Sequence, residues 1–141
     1  MAIGQDVRTY LLTKASITAI LGTRIFPNKI PQKNSSWPCL VYQVISQNAG
    51  HVLSGCAEYA ETRIQFDVYS ETALARDALV EALRNVLQGY SGTMGSSAVS
   101  SVVYKNSIDL YEPPADSSDV GLYRNSADYW FRHNHAAPTF T

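Results

Sequence analysis

Apolar and polar positions along this 141-residue chain follow two different rhythms. Ile3, Val7, Tyr10 and Leu11 recur at the spacing that lines one face of a helix, so the chain opens helical. Ser16 stands where it can cap a second short helical stretch through Ile17, Ile20 and Leu21, and Gly22 suits the left-handed position after its end. Pro27, Pro31 and Pro38 then interrupt any regular element, which makes residues 26–38 a connecting loop. Residues 39–45 form a short β-branched and aromatic run that favours a strand. Residues 47–56 supply Asn, Ser and Gly without periodicity and read as a loop. A period of two returns at residues 60–69. It puts Ala60, Thr62, Ile64, Phe66 and Val68 on one face, and Glu61, Arg63, Gln65, Asp67 and Tyr69 on the other.

Helical spacing resumes after Ser70, a natural N-cap, with Glu71 in the first turn, Ala75, Leu79, Leu83 and Leu87 on the apolar stripe, and Gly89 at the end. Residues 91–97 read as a flexible link. Two extended segments follow, residues 98–112 and 119–133, joined across Pro113 and Pro114. Fifteen extended residues span about 50 Å, more than an ordinary strand, so this hairpin must either project from the core or be bent by a bulge. In its last segment Tyr123, Ala127, Tyr129 and Phe131 share one face, opposite Arg124, Asp128, Trp130 and Arg132. The pattern predicts an α+β fold: an antiparallel four-stranded sheet with two helices packed on one face, in the order α-β-β-α-β-β, with a long C-terminal hairpin. One domain over residues 1–135 suits the length, and residues 136–141 form a loose tail.

Charge adds an asymmetry to this layout. Net charge is −1, yet residues 7–57 hold Arg8, Lys14, Arg24, Lys29 and Lys33 and no acid. Asp6 and the acid-rich stretch from Glu58 onward balance them. Charged residues are only 16% of the chain, which fits a subunit that covers part of its surface with neighbours. No run approaches the roughly 18 apolar residues that cross a membrane, and the N-terminus lacks the signature of a signal peptide, so synthesis in the cytosol is expected. Only Cys39 and Cys56 are present, and no disulfide framework follows from them.

Catalytic constellations are missing. There is no phosphate-binding glycine loop, no Cys-x-x-Cys, no His-Glu-x-x-His and no nucleophile elbow. His133 and His135 offer two metal ligands where zinc wants at least three, and Asp109 and Glu112 fall on opposite strand faces. Nine Tyr residues lie among acids rather than along a basic groove, which favours sheet core and subunit contacts over base stacking. These features predict no enzyme activity, no cofactor, no metal, no sequence-specific nucleic acid and no membrane partner. A small ligand-binding or catalytic α+β domain, with a cleft on the open face of the sheet, is the alternative.

Several short motifs occur in a telling order. They are Ile20-Leu21-Gly22, Arg24-Ile25-Phe26-Pro27, and Pro38 before Leu40-Val41-Tyr42; then residues 63–70 running into a helix; and finally Gly121-Leu122-Tyr123-Arg124 with Asp128-Tyr129. In this the chain resembles the tail-completion and tail-terminator proteins of long-tailed bacteriophages over nearly its whole length. The resemblance implies a virion protein, assembled in the host cytoplasm, that forms a hexameric ring at the head-proximal end of the tail. Such a ring stops growth of the tube, passes DNA, and meets the tail tube protein on one side and the head connector on the other. A head-to-tail ring joins two different patches of one subunit. The charge split nominates Arg24, Lys29 or Lys33 against Glu112, Asp116 or Asp119 of the next copy. Gln47, Asn48, His51 and Leu53, with Pro113, Pro114 and Ser117, are the loop residues expected to touch tube or connector.

Overall fold

The computed structural model describes residues 3–31, 36–52, 55–113 and 121–134, with backbone alone for residues 51, 52 and 55–58. In chain order the elements are α1 (Ile3–Leu12), α2 (Ala15–Leu21), β1 (Ile25–Pro27), β2 (Cys39–Val52), β3 (Gly55–Ser70), α3 (Ala73–Leu87), β4 (Gly92–Met94), β5 (Ser97–Glu112) and β6 (Leu122–Asn134). One sheet joins the strands in the order β1-β2-β3-β6-β5-β4. The expected four-stranded antiparallel sheet with two helices is therefore wrong. Among the described residues the sheet is six-stranded, curled and mixed, and three helices accompany it. It is mixed because β1 runs parallel to β2, Ile25 facing Leu40 and Pro27 facing Tyr42. Strands of three residues are too short to leave a period in the sequence. Distant backbone partners create them.

Of the loop expected at residues 47–56, residues 47–52 and 55–56 are sheet instead. β2 continues to Val52 and β3 begins at Gly55, with Asn48 opposite Glu61 and Val52 opposite Gly55. Register shifts between Val44 and Ser46, and between Ala49 and His51, offset the weak local propensity by letting the strand bend. β5 carries two shifts as well, at Val99/Ser101 and Tyr104/Asn106. Register also separates the cysteines, since Cys39 faces Tyr69 at one end of the β2–β3 hairpin while Cys56 faces His51 near the other. The gap between them along the hairpin is roughly 40 Å at about 3.3 Å per residue, beyond any bridge.

Alternation on β3 and β6 does build the core. Ile64, Phe66, Val68, Tyr129 and Phe131 are almost wholly buried and meet Leu79, Leu83 and Leu87 from α3, Leu11 from α1, and Ile17 and Leu21 from α2. Phe66 stands edge-on to Tyr129 with ring centroids 5.5 Å apart. The supposed flexible link at residues 91–97 belongs to the same core: Met94 and Ser97 are fully buried. Asp6 of α1 secures it, accepting hydrogen bonds from the Ser96 N–H and from the hydroxyls of Ser96 and Ser97. Gly95 has φ +56°, and a Cβ there would stand 2.6 Å from the Asp6 carboxylate, so the turn requires glycine.

Two caps differ from expectation. The α3 N-cap is Thr72, whose hydroxyl accepts from Ala75 N–H at 3.2 Å, while the Ser70 hydroxyl accepts from Thr72 N–H one turn earlier. α2 starts at Ala15 after Lys14, so Ser16 lies inside the helix and does not cap it.

Candidate functional site

The helices occupy one face of the sheet and leave much of the other bare. Near the start of β2 this second face is covered locally: Trp37 packs on Tyr69, with ring centroids 6.5 Å apart, and Cys39 and Val41 are buried there. Beyond them the face is a polar ladder across β3 and β6. Arg63 pairs with Asp128 at 2.6 Å, and Gln65 donates to the Ser126 hydroxyl. Arg124 bridges Asp67 at 3.2 Å and Glu112 at 3.4 Å, and its guanidinium lies 5.4 Å from the centre of the Tyr69 ring. Burial alone would lower the Arg124 pKa, but the negative charge of Asp67, with Tyr69 and Glu112 beyond it, lifts it above the ordinary value. Burial raises the Tyr69 hydroxyl against the opposing pull of Arg124.

On β5 the same face turns apolar. Val103, Ile108 and Leu110 are 44%, 58% and 42% exposed. A depression of about 330 Å³ lies between β5 and β6, where Val103, Lys105, Trp130 and Arg132 line it together with Glu61 and Ser101. Its charged side chains are exposed rather than converging on an enclosed point. Among the described residues no group of three or more His, Cys, Asp or Glu is arranged to hold a metal, and no helix is long and apolar enough to cross a membrane.

The sequence-nominated residues fall in different places. Arg24 is engaged within its own chain, its Nε donating to Pro38 O at 2.9 Å and its Nη2 to Ile20 O at 3.0 Å. Lys29 is exposed just after β1, and Glu112 is exposed at the end of β5, so the two stand at opposite edges of the sheet. Gln47 and Asn48 lie on β2, not in a loop, and the Gln47 side chain donates to Thr62 Oγ1 at 3.0 Å. His51 lies within β2, and Pro113 is exposed just past β5. Lys33, Leu53, Pro114, Asp116, Ser117 and Asp119 lie outside the described residues. Sequence reasoning missed the ladder of Arg63, Asp67, Arg124 and Asp128. Its signal was present in the opposite-sign residues on the second face of each strand, but only the register pairs Gln65 with Asp128 and Tyr69 with Arg124.

Among the described residues, fold and face define a protein of helices and strands whose single curled sheet offers a broad surface and two strand edges. The sequence profile of the tail completion protein gp17 family matches residues 5–129, and the chain belongs to that family. It is thus a phage tail protein and a component of the virion. Comparison with curated proteins finds no match. Among solved structures the fold is similar to a chain from the virion of a native gene transfer agent particle, with TM-score 0.63 and 13% identity, covering 94% of this chain and 92% of that one.

Proposed function

We propose that this protein acts as a homo-oligomeric ring, a hexamer, at the head-proximal end of the tail tube, where it ends tube growth and presents the surface that joins the tail to the head connector. The carrying observation is the helix-free face of the sheet, on which Val103, Ile108 and Leu110 stay exposed beside ion pairs already satisfied within the chain. A monomer gains nothing from leaving such residues in water, whereas a neighbour that covers them contributes about 25 cal/mol for each Å² buried. The same ladder leaves little unpaired charge to hold passing DNA tightly. The role is structural, not catalytic. The tube protein and the connector are its expected partners, and Lys29 against Glu112 of the next copy remains the charge pairing to test.

The test is complementation of a phage that lacks the protein. Wild-type chain should restore joined particles with tails of uniform length. A variant carrying Ile108→Asp and Leu110→Asp should fold, remain monomeric and leave heads and tails separate. Joined particles of normal tail length with that variant would overturn the proposal.

A further inference from the structure

The two lateral edges of the sheet are stepped in opposite senses. At one edge β1 pairs only with residues 40–42 of β2, so among the described residues no strand lies along residues 43–52. At the other edge β4 pairs only with residues 97–99 of β5, which leaves residues 100–112 open in the same way. The registers place these steps at different heights. Ile25 faces Leu40, and the line continues through Val68 and Asn125 to Asp109 on β5. A second line runs from Ala49 through Ala60 and His133 to Val99, and ends at Gly92 of β4. The first edge therefore protrudes low and is recessed high, and the second is recessed low and protrudes high. Each step is one strand wide, about 4.8 Å.

We propose that successive copies of this chain join edge to edge through these steps. β1 of one copy lies against residues 106–112 of its neighbour, and the neighbour's β4 lies against residues 43–50 of the first copy. Polarity supports the fit. β5 is antiparallel to β2 through three successive antiparallel pairings, and β4 is antiparallel to β5, so β4 and β1 run the same way. Placed one above the other they make a single composite strand, antiparallel to β5 and parallel to β2. The joined edges are different surfaces of one chain, the head-to-tail arrangement that closes into rings.

Charge is complementary along the low step. Arg8, whose Nε donates to Ile25 O at 2.9 Å, stands at β1 together with Lys29, while Asp109 and Glu112, which also pair within their own chain with Arg76 at 3.7 Å and Arg124 at 3.4 Å, mark the open part of β5. The high step is uncharged on both sides: residues 43–50 contain no Lys, Arg, Asp or Glu, and neither do residues 90–95. Long strand edges without charge or proline are the ones natural proteins ordinarily protect, and a second copy protects this one.

This joint rests on the ring reading above, and amide hydrogen exchange separates the two. The wild-type protein is compared as dilute monomer and as assembled oligomer, in solution or on purified tail tubes. Amides of residues 43–50, 92–94 and 106–112 should exchange at least tenfold more slowly once assembled. A ring in which these amides exchange as they do in the monomer overturns the joint and leaves the ring standing. A chain that stays monomeric in solution and on tubes overturns both. The Ile108→Asp variant should weaken association at least tenfold with its unfolding midpoint unchanged. Unchanged association in that variant, with the edge amides unprotected, also overturns the joint.

Discussion

Thr62 offers a sharp test of how the long strands are held together. Its side chain is fully buried between β2 and β6. The Gln47 amide donates to the Thr62 hydroxyl at 3.0 Å, and that hydroxyl lies 2.7 Å from His133 Nε2, while His133 Nδ1 lies 2.7 Å from Asn134 O. A carbonyl only accepts, so Nδ1 carries the proton, and in this tautomer the ring accepts from Thr62 at Nε2. Replacing Thr62 with Val keeps the shape and removes the donor. Gln47 is exposed and turns to water at little cost, but His133, 4% exposed, loses the buried hydrogen bond from the Thr62 hydroxyl. That loss costs about 1–3 kcal/mol. Thr62→Ser keeps the hydroxyl and removes one methyl, for about 1 kcal/mol. With a urea m-value of about 2 kcal/mol/M, Thr62→Val should lower the unfolding midpoint by about 0.5–1.5 M, and Thr62→Ser by no more than about 0.5 M. Far-UV circular dichroism in urea reads both. If Thr62→Val is as stable as wild type, or more stable than Thr62→Ser, the proposed direction of the hydrogen bonds is wrong.

Other outcomes follow from the same structure. Met94→Ala should destabilise by about 2–5 kcal/mol in thermal or urea unfolding, as a core deletion does, whereas a truly flexible link at residues 91–97 would leave stability unchanged. Arg124→Met leaves Asp67, 7% exposed, without its cation and should cost about 1–3 kcal/mol in urea unfolding at pH 7; an unchanged midpoint would contradict the ion-pair account. Burial raises the Tyr10, Tyr42, Tyr69 and Tyr129 hydroxyls above their ordinary value of 10.0. The unfolded chain therefore ionises first as pH rises. Stability is fully present below about pH 10 and is lost above it, and an unfolding midpoint that holds steady from pH 9 to 11.5 would refute this. Tyr10→Phe removes the 2.7 Å bond from the Tyr10 hydroxyl to Val86 O and should cost about 1 kcal/mol by chemical denaturation.

What the sequence determined by itself is whatever depends on a residue's immediate neighbours. Period two on β3 and β6 specified which side chains enter the core, and helical spacing located α1 and α3, because burial of one face is a local requirement of each element. The tail-protein character was legible in the order of its motifs, and the family match bears it out. Only the tertiary structure decided the rest. β1 and β4 are three residues each and exist because β2 and β5 lie beside them; residues 47–52 and 55–56 are strand because β3 continues to pair with β2 past two register shifts. Residues 91–97 looked structureless until Asp6, about ninety positions away, bound Ser96 and Ser97. The ladder of Arg63, Asp67, Arg124 and Asp128 and the opposite steps of the two sheet edges share that origin. Strand order and register are long-range choices among backbone partners, and a single strand's own residues do not encode who its neighbour will be.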